Sequence, residues 1–167
     1  MRSMTALTAC VAVLIAFALP VSTASAASLG ANVGSARTNG GDFEGSDTGW
    51  KIHLGSSIGT FVGGEIGYVD FGHLGGGNGP RADAWTPAIT IGVPLGIGQI
   101  YGKGGVAFAE VEGSTLRDEY KNNDPFFGLG VRFGLSPGLG FRAEYERYRF
   151  DNNQDVDMAQ AGLELNF

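Results

Sequence analysis

The segment LSPGLGFRAEYERYRF, residues 135–150, carries Arg142, Glu144 and Glu146 at two-residue intervals, with Phe141, Ala143 and Tyr145 standing beside them. Two carboxylates beside a guanidinium can move a proton, hold a cation or neutralise one another. Period two places the charges on one face of a strand and the apolar residues on the other. Lys51, His53, Glu65, Lys103, Arg132, Gln160 and Glu164 occupy comparable alternating positions elsewhere in the chain.

The catalytic readings of these residues are weak. His53 and His73 are the only histidines, and His73 lies in GHLGGGNGP. Nucleophilic chemistry needs a Ser or other nucleophile beside a firmly held base. The glycines around His73 would not hold it rigidly, so it reads as a solvated loop residue. Two separated histidines and scattered carboxylates lack metal-ligand spacing. Asp42, Glu44 and Asp47 could loosely attract calcium, but an ordinary solvated acidic loop accounts for them better. GTFVGGEIG and GVAFAEVEG lack the strand, turn and helix of a nucleotide site, and their glycines are assigned to architecture. The expectation is therefore no catalytic residue, no metal and no cofactor.

The compartment is read from the first residues. Arg2, the largely apolar run Thr5 to Leu19 and Ala24-Ser25-Ala26 form a secretory signal with a small-residue cleavage site. The run is short for a membrane anchor of roughly 20 residues. Leu7-Thr8-Ala9-Cys10 looks like a lipoprotein attachment motif, but most of the apolar run follows Cys10, so cleavage there would split it. Residues 1–26 are assigned to the signal and 27–167 to one domain. Cleavage removes the only cysteine and one of 11 basic residues, leaving ten against 17 acidic, a net −7. Such a chain is a poor candidate for nucleic acid or anionic lipid headgroups.

The elements that must position the charges are strands. No helical period persists beyond two turns after residue 28, whereas alternating stretches occur at 28–37, 48–57, 61–71, 82–94, 98–112, 125–136, 139–150 and 156–167. Gaps after the second, fourth and sixth are short, and the others, 38–47, 72–81, 113–124 and 151–155, are longer, polar and mostly acidic. Trp50, Ile52 and Leu54 oppose Lys51 and His53; Phe127, Leu129, Val131 and Phe133 oppose Gly128, Gly130 and Arg132. Each strand thus offers one apolar face and one small or charged face. A soluble sandwich would bury the apolar face, and nothing would keep its wet face so small. A closed eight-strand barrel in lipid turns the apolar face outward, and its narrow interior fits Gly, Ala and Thr beside a few charges.

The fold class is all-β: an eight-stranded antiparallel up-and-down transmembrane β-barrel, read as monomeric. Trp50, Tyr68, Trp85, Tyr101, Tyr120, Tyr145 and Tyr148 are expected to supply the interfacial aromatic girdles. Pro87 is awkward inside the fourth strand and is expected to mark a bulge or a later strand start. The inward charges Lys51, Glu65, Lys103, Arg132, Arg142, Glu144 and Glu164, with His53, Gln160 and Glu146 nearby, must be paired. Expected pairs are Arg142 with Glu164, Lys51 with Glu65, and Lys103 or Arg132 with Glu144.

The pattern resembles the transmembrane domain of outer membrane protein A, OmpA, and its small eight-stranded relatives. The resemblance covers residues 28–167 and is carried by Gly128-Leu129-Gly130-Val131-Arg132-Phe133, the turn at Ser136-Pro137, Arg142-Ala143-Glu144-Tyr145 and the closing Gly162-Leu163-Glu164-Leu165-Asn166-Phe167. It implies an outer-membrane location and a terminal aromatic, Phe167, read by the barrel assembly machinery. It also implies a surrounding of outer-membrane lipid and lipopolysaccharide, and lumen ion pairs that block or gate a narrow path. The chain ends at Phe167, without residues for the peptidoglycan-binding domain of OmpA. The leading expectation is a structural or surface-interaction barrel whose surface partner the sequence does not name. The runner-up is a narrow low-conductance channel for small solutes, and a lipid A-modifying enzyme is the third reading.

Overall fold

The computed structural model describes residues 25–39, 45–73, 81–112, 122–150 and 154–167. Cys10, Asp42, Glu44 and Tyr120, most of the expected signal, and the loop charges Arg117, Asp118, Glu119, Lys121 and Asp151 lie outside the described residues.

The strands are β1 (Ser25–Asn39), β2 (Gly45–Ile58), β3 (Val62–His73), β4 (Arg81–Leu95), β5 (Gly98–Glu112), β6 (Asn122–Ser136), β7 (Leu139–Phe150) and β8 (Gln154–Asn166). Each pairs antiparallel with the next, and β1 pairs with β8 to close the barrel. Closure leaves no sheet edge, which is what hydrocarbon demands of a spanning sheet. At the seam the backbone of Ala27 and Phe167 exchange two hydrogen bonds of 2.9 Å. At the short-turn end, Gly59, Gly96 and Gly138 adopt φ of 70°, 62° and 80°. Tight hairpins need that left-handed conformation, and glycine takes it without strain.

Several strands run beyond the alternating apolar pattern. β1 begins at Ser25 instead of 28, β2 at Gly45 instead of 48 and β6 at Asn122 instead of 125. At the long-loop end the ladder continues through Arg37↔Ser46 and Thr38↔Gly45. Backbone pairing is indifferent to side-chain polarity, so the ladder outlasts the apolar rows that reveal it in sequence.

Pro87 corrects an expectation. β4 starts at Arg81 and passes through Pro87, which pairs with Ile66 on β3. Toward β5 the partners Trp85↔Phe108 and Ala88↔Gly105 keep one register on both sides of Pro87, so there is neither bulge nor later start. The missing N–H opens the ladder locally, and Gly105 lets the strands stay close: a Cβ there would lie 2.0 Å from the Pro87 carbonyl oxygen. Register shifts occur instead between Asp70 and His73 and between Gly134 and Ser136.

The outer wall carries the apolar rows, with Ile89, Ile91, Leu129 and Leu163 all more than half exposed. Inside, the long-loop half is filled by Val69, Phe71, Phe126, Tyr148, Val156 and Met158. Trp50, Tyr68 and Trp85 face outward as a contiguous aromatic run, with centroids 5.6 and 5.2 Å apart. Tyr101 and Tyr148 do not belong to a girdle: both are buried in the lumen. They share the period-two face of Lys103 and Glu146, which overrides their general preference for an interface.

Candidate functional site

The charged side chains meet at mid-height, between the apolar cluster and the short-turn mouth. Lys51 and His53 come from β2, Glu65 from β3, Lys103 from β5, Arg132 from β6, Arg142, Glu144 and Glu146 from β7, and Gln160 and Glu164 from β8. Every one occupies the inward parity of its strand, and eight strands make a cylinder narrow enough for opposite walls to touch. Lys51 on β2 reaches Glu146 on β7 at 2.7 Å.

Glu144 is the most heavily partnered. It receives Lys103 at 2.7 Å, Tyr101 Oη at 2.5 Å, Asn32 Nδ2 at 3.2 Å, Gln160 Nε2 at 3.3 Å and the Arg142 guanidinium. Glu146 takes Lys51, Lys103, Tyr148 Oη at 2.6 Å and Gln160 at 2.8 Å. Glu65 lies 2.9 Å from Lys51 and 3.1 Å from Lys103, and accepts Arg142 as well. Nearer the short-turn mouth, Glu164 meets Arg142 at 3.1 Å, His53 Nε2 at 3.2 Å and Arg132 at 3.7 Å. Arg132 stands 4.0 Å from Glu65 and forms no ion pair with Glu144 among the described residues, and Lys103 holds that position. The guanidiniums of Arg132 and Arg142 also lie over the Tyr101 ring, 4.4 and 5.1 Å from its centroid.

This layer sets four cations, Lys51, Lys103, Arg132 and Arg142, against four carboxylates, Glu65, Glu144, Glu146 and Glu164, a net charge of zero. A single charge transferred from water into such an interior would be prohibitive, whereas a multiply hydrogen-bonded, balanced set is tolerable. Oxygens of Glu65, Glu144 and Glu146 come within 4.8 Å of one another, close enough to embrace a metal ion. The ammonium groups of Lys51 and Lys103 already occupy that position. With the carboxylates engaged in this way, the cluster fills and cross-braces the barrel, and His53 Nδ1 is a buried ring nitrogen left without a hydrogen-bond partner among the described residues.

Asn32, Tyr101, Glu146 and Tyr148 are the members that charge patterning alone undervalues. Their inward parity is the signal that marks them. Inward glycines make room for the long side chains: a Cβ at Gly130 would sit 2.5 Å from the Tyr101 ring, and one at Gly67 2.6 Å from Lys51 Cε.

His73 also departs from expectation. It ends β3 instead of lying in a flexible loop, and Asp47 of β2 holds both its backbone N–H at 2.8 Å and its Nδ1 at 3.1 Å. The register shift after Asp70 and the φ of 71° at Gly72 turn His73 toward Asp47.

The sequence matches the family described as outer membrane protein beta-barrel domain over residues 6–167. The chain belongs to this family. The match places it among outer-membrane β-barrels broadly, not with OmpA in particular, and its location is the bacterial outer membrane, with the long loops outside and the short turns in the periplasm. No curated protein matches the sequence. Among solved structures the family fold recurs in Neisserial surface protein A, 12% identical with a TM-score of 0.63, covering 85% of this chain and 99% of that one. It recurs in Ail, the attachment invasion locus protein of Yersinia pestis, 14% identical with a TM-score of 0.63 and coverage of 86% and 99%. The N-terminal barrel of Pseudomonas aeruginosa OprF is 12% identical with a TM-score of 0.61 and coverage of 84% and 97%. At these identities the likeness is one of fold.

Proposed function

We propose that this outer-membrane barrel is a closed, non-conducting scaffold with a structural or surface-interaction role, its charged layer serving to seal and fix the lumen. The observation that carries the reading is the seal itself: the side chains of Lys51, Lys103, Arg142, Glu144 and Glu146 have at most 0% exposure to solvent. The apolar cluster around Phe71 and Tyr148 lies over them on the outer side. Ail is described as an attachment invasion locus protein, and polar outer loops on a rigid cylinder suit surface contact in general. A closer kinship to OmpA, a cleaved signal at residues 1–26 and recognition of Phe167 by the assembly machinery belong to the same reading. Phe167 faces outward and is 73% exposed, accessible to such a partner.

The narrow-channel reading has one observation in its favour. A polar cavity of about 60 Å³ opens at the periplasmic mouth, lined by residues including Ser28, Ser56, Thr90, Gln99, Tyr101 and Arg132. Planar-bilayer recording tests both readings. The scaffold gives no openings; steady unitary currents from the wild-type barrel that change when Lys51 or Arg142 is neutralised would establish the channel instead. The enzyme reading rests on the Asp47–His73 pair, and among the described residues no side-chain hydroxyl hydrogen-bonds to the His73 ring. Lipid A composition is expected to be the same in cells overproducing the wild type and His73→Ala; a modification lost in the variant would overturn that expectation.

A further inference from the structure

The outer wall is not uniform around its extracellular rim. On one arc, three arginines project outward from neighbouring strands. Arg37 of β1 and Arg147 of β7 both pair across Asp157 of β8 in one row, and Arg149 lies one outward position above Arg147, opposite Asp155. Strand spacing puts the Arg37 and Arg147 backbones only about 10 Å apart, within convergent reach of one phosphate group.

Arg147 is fixed. Its Nε and Nη2 donate to the two Asp157 oxygens at 2.6 and 2.9 Å, and Asn39 Nδ2 holds the same carboxylate at 2.8 Å. Arg37 and Arg149 are exposed, and neither forms an ion pair among the described residues. Arg149 lies over the Phe127 ring, 5.2 Å from its centroid, which aims the guanidinium along the wall while leaving its donors open.

The opposite arc has a different character. There Arg81 is committed to Asp70 at 2.5 Å, and Asp83 pairs with Asp70 across β3 and β4. Overall net charge hides this segregation: the chain is acidic, yet one arc of its rim presents two uncommitted guanidiniums beside a pinned third.

Immediately below the arginine row the wall changes again. The row Ser35, Ala159 and Tyr145 is followed by Val33, Ala161 and Ala143. Four of these six are Ser or Ala, so the wall is low under the arginines, bordered by Val33 at 59% and Tyr145 at 44% exposure. Cations at headgroup height above a shallow apolar strip match an amphiphile with phosphate at its head and acyl chains below.

We infer that the β7–β8–β1 arc is a binding site for the phosphorylated glycolipid of the outer leaflet, with Arg37 and Arg149 holding phosphate beside the Asp157-bound Arg147 and acyl chains lying over Ser35, Ala143, Ala159 and Ala161. Charge complementarity selects the occupant, and the position of the site at the outer rim selects the leaflet. The site deepens the scaffold reading by assigning it a lipid partner, and it is tested without measuring current, so the two can fail separately.

The test uses the full barrel in detergent micelles, titrated with bisphosphorylated lipid A, with lipid A stripped of both phosphates, and with phosphatidylglycerol, and read by native mass spectrometry. Heat-modifiable migration reports the folding of each variant. Arg37→Gln with Arg149→Gln is expected to weaken binding of bisphosphorylated lipid A about thirtyfold, taking the surface contribution of two cations. Arg81→Gln should leave binding unchanged, and the dephosphorylated lipid should bind the wild type as weakly as the phosphorylated form binds the double variant. Wild-type binding by the folded double variant, equal loss in Arg81→Gln, or equal retention of phosphatidylglycerol would each overturn the assignment. The proposal rests on exposed side chains, so the double variant should fold; if it does not, Arg149→Lys, which keeps charge but loses the planar fork, must still show measurably weaker retention or the site is rejected.

Discussion

Glu144 shows how the lumen works at the scale of a residue. Lys103, Arg142 and Tyr101 all converge on it, so its single negative charge is shared between two cations whose side chains have no access to solvent. Glu144→Gln leaves the layer with one uncompensated positive charge. The expected cost is about 3–5 kcal/mol, the range for breaking one member of a buried ion pair. It is read as a lower urea midpoint for unfolding from lipid vesicles, and an unchanged midpoint would show that the network contributes little to stability. Removing Lys103 as well, by Lys103→Met, should recover part of that loss, because the two groups act on each other. Gly130 acts through absent volume: Gly130→Val would drive two methyl groups into the Tyr101 ring and should cost about 1–3 kcal/mol or more by overpacking.

At the scale of an element, each strand separates two solvents by parity. Ile89 lies near the middle of β4, 64% exposed on the outer wall, whereas Ile97 lies in the β4–β5 turn and is 84% exposed. Ile89→Arg should destabilise the barrel by about 2–4 kcal/mol and Ile97→Arg by about 0–1, the difference between the bilayer midplane and its interface. Equal effects in lipid vesicles would show that the outer row of β4 does not meet hydrocarbon. The β4–β5 pair carries its own test. Gly105 has no room for a Cβ against the Pro87 carbonyl, so Gly105→Val should block pairing of the two strands and abolish the heat-modifiable band. In this pair a missing donor on one strand and a missing side chain on the other are complementary.

For the whole molecule, closure and filling are one problem. Eight strands leave a lumen that a few long side chains can cross, and the charged layer and the apolar cluster between them occupy its middle and outer parts. The cylinder should therefore be stiff and should resist detergent until heated, so that unboiled protein migrates faster on a gel than boiled protein. Co-migration of the two would contradict a closed barrel. The acidic surplus of the chain is likewise a property of the whole that misleads about its parts, since the described rim carries exposed Arg37 and Arg149 on one arc and the Asp70–Arg81 pair on another.

The sequence by itself determined the strand count, the inward parity of Lys51, Glu65, Arg142 and Glu164, and the outer-membrane setting. The first two depend on local alternation, since a period of two assigns a side chain to a face without knowledge of its neighbours, and the third rests also on the apolar opening segment and the family resemblance. Only the tertiary structure decided that Tyr101 and Tyr148 join the charges, that Lys103 rather than Arg132 reaches Glu144, that β4 runs straight through Pro87, and that Asp47 anchors His73. Those facts depend on register and on the stagger of strands around a closed ring. Register is fixed by the sum of all eight pairings, so residues as distant as Lys51 and Glu146 become neighbours through a geometry that no single stretch of chain contains.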